Sequence, residues 1–270
     1  MNPYTLPEGN TQIAFSGGRS SAYMLDKILD ANNGLPDTAK AVFTNTGRER
    51  PETLDFVERY SRERGVEIIW LEYRYDNAPR AVRVCRETAS LNGEPFRALC
   101  ERRKALPNQN ARFCTEELKV KTARRWLVMQ GWKRWTKFTG IRADELSRHN
   151  PKPQPRETIL QPMAKAGVTK RDVAAFWKAQ PFDLELPIVK GKTLGGNCRK
   201  CFLKSEATVA AEIRDDPNDT WPDEMEDRFG VTFSSRYSHK ELRRYINRQG
   251  DWIFDVEDAL CQADGGECFG

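Results

Sequence analysis

A short loop near the start of the chain carries the residue types that bind phosphate. Its residues are Ser16, Gly17, Gly18, Arg19, Ser20 and Ser21. An apolar run precedes it and an apolar-periodic segment follows, which predicts a strand, a tight turn and a helix. Glycine lets a ligand approach the backbone closely, and the unpaired amides at a helix start favour phosphate. The loop therefore predicts a phosphate site, with an ordinary strand–turn–helix corner as the alternative.

The cysteines are a second source of chemistry. The chain has seven, an odd number, and no export signal is visible, so metal, cluster or catalytic use is favoured over disulfides. Cys198 and Cys201 form a C-x-x-C pair after two glycines, a spacing that directs two thiolates at one centre. Zinc, or buried cysteines that act as small hydrophobic residues, are the alternatives. We expect Cys85, Cys100 and Cys261 to be structural.

The bulk properties are those of a soluble globular protein. Charged residues make up 31% of the 270 residues and hydrophobic residues 39%. No apolar run reaches the roughly 18 residues of a membrane helix, so we expect a cytoplasmic protein without a membrane partner. The net charge of +5 is mild. Basic clusters at 102–104 and 119–125 are candidate contacts for polyphosphate or nucleic acid, or a solvated surface.

The apolar patterns predict an α/β fold. Strands are expected at 39–44, 66–71 and 135–139, and a helix at 52–64, so that strands and helices alternate. This order predicts a parallel twisted sheet with flanking helices, in which ligands bind beyond the carboxyl ends of the strands. We divide the chain into residues 1–205, which hold the motifs, and an α-rich extension at 206–270. The irregular stretch 76–112 is the expected active-site flap.

Five segments in order resemble one family. They are the Ser16–Ser21 loop, Asn45-Thr46-Gly47-Arg48-Glu49, Cys114-Thr115-Glu116-Glu117-Leu118-Lys119, Gly140 to Glu145 with Arg148, and the C-x-x-C pair. The chain resembles the phosphoadenosine-phosphosulfate (PAPS) reductase family of PP-loop proteins, in the branch met in bacteriophages. The resemblance implies the adenine nucleotide alpha hydrolase-like fold. The chain departs from the family pattern at Phe113, where the cluster-bearing members have a second cysteine.

The resemblance implies roles for particular residues. The nucleotide-binding set is the Ser16–Ser21 loop with Asn45, Gly47, Glu49, Gly140, Arg142 and Arg148. The arginines are candidate oxyanion clamps, with salt bridges to Asp144 or Glu145 as the alternative. The catalytic candidates are Lys119, Arg142 and Cys268, and Glu49 is a candidate Mg²⁺ ligand. Cys114, Cys198 and Cys201 are the candidate ligands of a [4Fe–4S] cluster, with zinc as the alternative metal.

Three functions follow from this resemblance. The first is an enzyme that cleaves ATP to pyrophosphate and transfers sulfur from the cluster to an adenylated acceptor. The second is a sulfonucleotide reductase that binds PAPS and uses Cys268 as its nucleophile, although Phe269 replaces the expected glycine. The third is a nucleotide-sensing or nucleic-acid-binding module without catalysis, because Ser20 replaces the usual loop aspartate. The expected partners are an adenine nucleotide, a nucleic-acid acceptor, a sulfur-donor protein and a second copy of the chain.

Overall fold

The computed structural model describes residues 2–76, 78, 80–189, 192–194, 196 and 198–249. Strands and helices alternate through most of this part of the chain. The strands are β1 (Thr11–Ala14), β2 (Ala39–Asn45), β3 (Ile68–Glu72), β4 (Val82–Val84), β5 (Trp135–Phe138), β6 (Glu157–Leu160), β7 (Ile188–Val189) and β8 (Lys192–Thr193). The α-helices are α1 (Arg19–Asn32), α2 (Pro51–Arg64), α3 (Glu94–Arg103), α4 (Thr122–Met129), α5 (Pro162–Lys165), α6 (Lys170–Lys178), α7 (Glu206–Asp215), α8 (Trp221–Phe229) and α9 (His239–Gln249). No described helix is both long and apolar enough to cross a bilayer.

The main sheet has the strand order β4-β3-β2-β1-β5-β6. Strands β1, β2, β3, β5 and β6 are parallel, so the predicted α/β fold with flanking helices is confirmed. At one edge of the sheet, β4, which was not predicted, runs antiparallel to β3. Three residues that return directly after β3 can pair with it without a crossover helix. The carboxyl ends of β1, β2, β3, β5 and β6 therefore share one edge.

Apolar residues cover both faces of this sheet. On one face, Ile13, Phe15 and Phe43 pack with α1, α2 and α6. On the other face, Val42, Ile69 and Leu71 pack against α4. Helix α6 begins at a reciprocal capping box formed by Thr169 and Asp172. Strand β6 was not predicted, because its four residues are only partly buried and follow a proline-rich loop.

Part of the stretch 76–112 is packed into the core. This part contains β4 and α3, and α3 buries Phe96, Leu99 and Cys100 in a cluster shared with α8. Local composition did not show this packing because Phe202, Trp221 and Phe233, which belong to the same cluster, lie far along the chain. Burial in this apolar cluster raises the pKa of the Cys100 thiol, which agrees with a structural role. An active-site flap in this stretch stays a prediction.

The helix expected from residue 112 begins with a π-helical segment, Thr115–Lys121, which leads into α4. Wider helical turns of this kind are rare and occur often at functional sites. The buried carboxylate of Glu117 holds the segment through Arg103, Lys121 and Arg125, at 2.8, 3.1 and 2.9 Å. Burial works to raise the pKa of Glu117, but hydrogen bonds from Arg125 and Lys121 lower it to about 2. Much of the basic cluster at 119–125 is therefore neutralised within the fold.

Helices α7, α8 and α9 form the predicted α-rich C-terminal region, as far as residue 249. They contact the motif-bearing part of the chain through a buried ion pair between Arg48, after β2, and Asp219, before α8. The two Nη–Oδ distances are 2.9 and 2.6 Å, and the Arg48 guanidinium also lies 4.6 Å from the centroid of the Trp221 ring. Lys200 Nζ is a second cation, 3.2 Å from Asp219. Burial alone would raise the pKa of Asp219, but Arg48 and Lys200 hold it below its usual range.

Replacing Asp219 by asparagine should destabilise the protein strongly. The change would leave the Arg48 guanidinium buried without its counter-charge, which costs about 3–5 kcal/mol of unfolding free energy. Glu224→Gln is the matched control, because Glu224 of α8 pairs with Arg97 of α3 at 3.3 Å and both side chains are exposed. We expect about 0–1 kcal/mol for the control in urea unfolding. Equal losses in the two variants would show that the buried pair does not hold the helices in place.

Candidate functional site

The Ser16–Ser21 loop connects β1 to α1. Ser16 N and Ser16 Oγ lie 3.1 and 2.9 Å from Ser21 Oγ, and Ser21 Oγ donates to Gly18 O at 2.9 Å. Gly17 has a φ of +80°, and a Cβ there would come within 2.7 Å of Thr53. Gly18 caps α1 without a side-chain hydrogen bond, so the first amides of this helix are available to a ligand. The loop has the geometry of an anion site.

The side chains of Arg19 and Ser20 are both bound within the protein. Arg19 donates from Nε and Nη2 to the two oxygens of Asp183, each at 2.7 Å. A contact between Arg19 and phosphate is thereby left to its backbone amide. Ser20 is buried, and its Oγ accepts a hydrogen bond from Arg142 Nη1 at 3.1 Å. The loop is thus tied directly to the segment after β5.

Arg142 lies beside the loop, and both Arg142 and Arg148 are ion-paired. Arg142 Nε is 3.0 Å from Asp144, and Arg148 Nη1 is 2.6 Å from Glu145. The salt bridges weighed against an oxyanion clamp are therefore present, although Arg142 is only 6% exposed and also binds Ser20. The clamp stays a prediction.

Gly140 allows β5 to approach the loop closely. A Cβ at this position would lie 3.1 Å from Ser21 Cα and 3.3 Å from Ser21 N. Its role in the structure is close backbone packing of the Arg142 segment against the start of α1. No direct ligand contact is needed to explain this glycine.

The turn after β2 is held by its own side chains. Asn45 is fully buried, donates to Glu72 and to Ser90 O at 2.7 and 2.8 Å, and accepts from Gly47 N at 3.0 Å. These bonds use both amide donors of Asn45. Gly47 has a φ of +78°, and a Cβ there would come within 2.9 Å of Pro95. The structure therefore gives Asn45 and Gly47 structural roles, and nucleotide binding by either stays a prediction.

Glu49 lies between the loops and the cysteines. Its Oε2 accepts from Thr46 N and Thr46 Oγ1, both at 2.8 Å. Its Oε1 is 3.6 Å from Lys119 Nζ and 4.0 Å from Cys198 Sγ. Glu49 is 3% exposed, so it brings a buried negative charge next to Lys119. Within the described residues no group of three or more candidate ligand side chains is arranged to hold a metal ion, and Mg²⁺ binding by Glu49 stays a prediction.

The structure brings the three predicted cluster ligands to one cavity. Cys114, at the start of the π-helical segment, lines it together with Cys198 and Cys201. The cavity encloses about 540 Å³, its open mouth included, and Thr46, Lys119 and Trp221 contribute to its wall. All three cysteines are partly exposed. Arg199 N donates to Arg48 O at 2.7 Å, which fixes the C-x-x-C turn to the Arg48 segment.

This donor set fits a thiolate-bound centre in its chemistry. Cysteine sulfur is the ligand that iron–sulfur clusters and structural zinc use, and basic groups near the thiols favour the charged form. Lys119 Nζ, Arg199 and Lys200 line the same cavity. The thiols are not arranged around a shared ion, so the donor chemistry fits a cluster but the geometry does not identify the metal.

Lys119 connects the cysteine cavity to the Ser16 loop. A second cavity lies between the sheet and the π-helical segment, and Ser16, Lys119 and Lys137 are among its lining residues. Lys119 also lines the cysteine cavity. One ammonium group therefore separates the predicted phosphate site from the three thiols. A cation in this position could stabilise negative charge on a phosphate in one cavity or on sulfur in the other.

Sequence reasoning missed three residues of this region. Arg48 was part of a matched segment, but its buried pair with Asp219 is a long-range contact. Gln12 and Lys137 lie in strands, where a polar residue at a buried position was the signal that could have been noticed. Of the predicted site residues, Cys268 lies outside the described residues, as does Cys261.

Comparison with known proteins supports the family suggested by the motifs. Residues 10–162 match the family model described as "Phosphoadenosine phosphosulfate reductase domain". A protein of Escherichia phage lambda, the "Uncharacterized nin region protein ORF290", is 29% identical over 212 residues, covering 76% of this chain and 69% of that protein. A crystal structure of phosphoadenylyl-sulfate (PAPS) reductase from Candida auris, in a phosphate complex, aligns with a TM-score of 0.40 and 15% identity. That alignment covers 68% of this chain and 83% of the other.

Proposed function

The chain belongs to the phosphoadenosine phosphosulfate reductase domain family, and from this premise we propose that it is a PP-loop enzyme of sulfur chemistry. The family and the phage relative fit a nucleotide-binding protein of the phage-type branch. In the proposed reaction, an acceptor attacks the α-phosphate of ATP, pyrophosphate leaves, and sulfur then displaces AMP from the adenylated acceptor. A nucleic acid is the proposed acceptor class, and a sulfur-donor protein the proposed source.

The observation that carries this proposal is the position of Lys119. Its side chain lines both the cavity beside Ser16 and the cavity of the three cysteines. A cation at that boundary can neutralise charge that develops on a departing pyrophosphate, and such electrostatic stabilisation is a large contribution to catalysis. Glu49, 3.6 Å away, restrains the ammonium group. A nucleotide bound by the loop would thus react next to the thiols.

The surrounding residues have complementary roles in the proposal. The amides at the start of α1 and the hydroxyl of Ser16 bind the phosphates, because they combine free donors with the positive end of the helix dipole. Arg142 positions the loop through its hydrogen bond to Ser20 at 3.1 Å. Mg²⁺ would enter with the triphosphate, coordinated mainly by phosphate and water, as this ion prefers.

Cys114, Cys198 and Cys201 are the proposed ligands of a [4Fe–4S] cluster. When bound, the cluster would supply the nucleophilic sulfur, with one iron left without a cysteine ligand because Phe113 replaces the second cysteine of the family pattern. The chain's own contribution is to hold the thiols in one cavity. Arg199 and Lys200, which lie between the two cysteines of the C-x-x-C turn, line the same cavity. Zinc remains the alternative metal for the same ligands.

Lys119→Met should abolish most of the nucleotide chemistry. The wild type is expected to convert ATP slowly to AMP and pyrophosphate with water as acceptor, and the variant to do so about 100-fold more slowly, the usual loss for one electrostatic stabiliser. Lys121→Met is the control, since Lys121 lies in the same π-helical segment but pairs with Glu116 and Glu117. Formation of ADP and phosphate, or equal rates in the two variants, would contradict the proposal.

Cys198→Ala should remove the metal centre. We expect anaerobically purified wild type to contain iron and acid-labile sulfide with visible absorbance, and the variant to lose most of all three. Cys85→Ala is the matched control, because Cys85 is exposed and outside the cavity. If the wild type contains zinc and no acid-labile sulfide, the site holds a structural zinc ion and not a cluster. Equal metal content in both variants would reject the three-cysteine site.

A second candidate, sulfonucleotide reduction, is favoured by the description of the matched family. The same loop would bind PAPS, and the Cys268 thiolate would attack its sulfur and displace adenosine 3′,5′-bisphosphate. An added dithiol would then release sulfite from the S-sulfonate on Cys268, with the dithiol oxidised to a disulfide and the Cys268 thiol restored. In that case Cys268→Ser should stop sulfite release from PAPS, which a sulfite assay measures directly. It should leave the conversion of ATP to AMP unchanged. If neither the wild type nor the variant releases sulfite from PAPS, the reductase function is excluded.

A further inference from the structure

An exposed aromatic residue lies among cations on a surface that the proposed phosphate chemistry does not use. Tyr75 follows β3, and its side chain is 52% exposed. The guanidinium groups of Arg80 and Arg102 lie 5.8 and 5.9 Å from the centroid of its ring. Cation–π contacts of this kind attract the arginines to the face of the ring. The structure thus presents an aromatic ring and two positive charges together.

Further cations extend this surface along the end of α3. Arg102 and Arg103 lie in the last turn of the helix, and Lys104 is its C-terminal cap. Arg103 lies 5.6 Å from the ring centroid of Phe113, and Arg112 is the residue before that ring. We call this group the Tyr75 surface. Its members are Tyr75, Arg80, Arg102, Arg103, Lys104 and Arg112.

The positive charge of the Tyr75 surface is mostly uncompensated. Arg103 pairs with Glu117 at 2.8 Å. Within the described residues, the other cations of the surface form no salt bridge with a carboxylate. Asp76 is exposed beside Tyr75 in the chain, and it reduces the charge without cancelling it. This surface therefore differs from the basic cluster at 119–125, which is largely neutralised within the fold.

A structural role explains only part of this charge. Cations in the last turn of a helix are favoured by the helix dipole, and this reason applies to Arg102 and Arg103. Arg80 and Arg112 lie outside helices and strands, where the dipole gives no such reason. Solvation of the charges would also not require an exposed ring between two guanidinium groups. A ligand that uses both the ring and the charges accounts for the whole arrangement.

The Tyr75 surface is continuous with the cysteine cavity. Phe113, in contact with Arg103, packs with Cys114 against the apolar cluster that contains Phe96 and Trp221. Cys114, Phe96 and Trp221 line the cysteine cavity. An extended ligand on the Tyr75 surface would therefore pass close to the predicted sulfur centre.

The combination of ring and charges fits a single-stranded nucleic acid. Its phosphates pair with arginine and lysine, and its unpaired bases stack on aromatic rings or guanidinium planes. In a duplex the faces of the bases are covered by their neighbours, so an exposed tyrosine could not stack on them. An acidic protein would use the cations but would leave the ring without a role.

We propose that the Tyr75 surface binds a single-stranded nucleic acid, with a base stacked on Tyr75 and the backbone phosphates on the surrounding cations. The bound strand is the acceptor, and the surface delivers it to the cysteine cavity. The inference rests on the proposed function, because it identifies the surface for the acceptor class named there. None of the five matched segments contains a member of the Tyr75 surface.

The test measures the binding of a fluorescent single-stranded oligonucleotide of about 16 nucleotides to the full chain by anisotropy, once as DNA and once as RNA. Tyr75→Ala should weaken binding about tenfold, a loss typical of one base–aromatic stack. Tyr75→Phe keeps the ring and should bind as the wild type does. Because Tyr75 is largely exposed, neither change should lower the thermal unfolding temperature.

Lys104→Gln tests the electrostatic contribution. The variant should bind every sequence more weakly, and the slope of log Kd against log salt concentration should fall by about 0.7, the value for one phosphate contact on a single strand. Lys170→Gln is the matched control, because Lys170 is exposed on α6, which packs on the other face of the sheet from α4. The control should keep the affinity and the salt slope of the wild type.

The outcomes separate this inference from the proposed function. A wild type that binds neither oligonucleotide, or equal affinities of the wild type and Tyr75→Ala, would overturn the Tyr75 surface. Equal affinity for a duplex would do the same, as would polyglutamate that competes equally at the same concentration of charge, which indicates an acidic protein partner. Conversion of ATP to AMP should be unchanged in Tyr75→Ala, because Tyr75 lines neither cavity. Failure of that conversion in the wild type would instead overturn the proposed nucleotide chemistry.

Discussion

The buried ion pair between Arg48 and Asp219 is the interaction on which the cysteine cavity depends. It neutralises an arginine that is 1% exposed in the second matched segment and fixes α8 against it. The Arg48 carbonyl then accepts from Arg199 N at 2.7 Å, so the same segment holds the C-x-x-C turn. Lys200, in the C-x-x-C turn, also forms an ion pair with Asp219. Each of these charges would cost free energy if it were buried without a partner. Their pairing therefore connects three parts of the chain that are distant in sequence.

These ion pairs cross the predicted domain boundary at residue 205. Glu212 of α7 pairs with Lys204 Nζ at 2.5 Å, and Asp219, between α7 and α8, pairs with Lys200. Trp221 of α8 lines the cysteine cavity. A boundary after residue 205 would cut through these contacts. We therefore propose that the residues after 205 complete the site rather than form an independent module. The phosphate loop, by contrast, is stabilised within the sheet and by Asp183.

The sequence predicted best those features that depend on local patterns. The loop after β1, the parallel arrangement of β1 to β3 and the capping box at Thr169 follow from spacing and propensity over a few residues. The grouping of Cys114 with the C-x-x-C pair followed from the family pattern. The π-helical segment did not, because its residues are ordinary helix formers and the wider turn is held by the long-range contacts of Glu117.

Polar residues were the hardest to assign, because their roles depend on partners distant in sequence. Arg19 and Asn45 resemble ligand-binding residues, yet their side chains bind Asp183 and Glu72. Lys137 resembles a surface residue of a short strand, yet it is buried. In each case burial and the identity of the partner decide the function, and neither can be derived from local sequence. The motifs predicted a region of the chain for the site, but they did not show the contacts that each side chain makes.

The central claim is that the phosphate loop and the cysteine cavity are parts of one site. It is tested most directly by alkylating the metal-free chain with iodoacetamide, with and without ATP, and mapping each cysteine by mass spectrometry. ATP should slow the modification of Cys114, Cys198 and Cys201, because a bound nucleotide would cover the cavity that Lys119 borders. Cys85, which is exposed, should react at the same rate in both samples. Unchanged rates at all three cavity cysteines, at ATP concentrations that saturate the protein, would contradict the account.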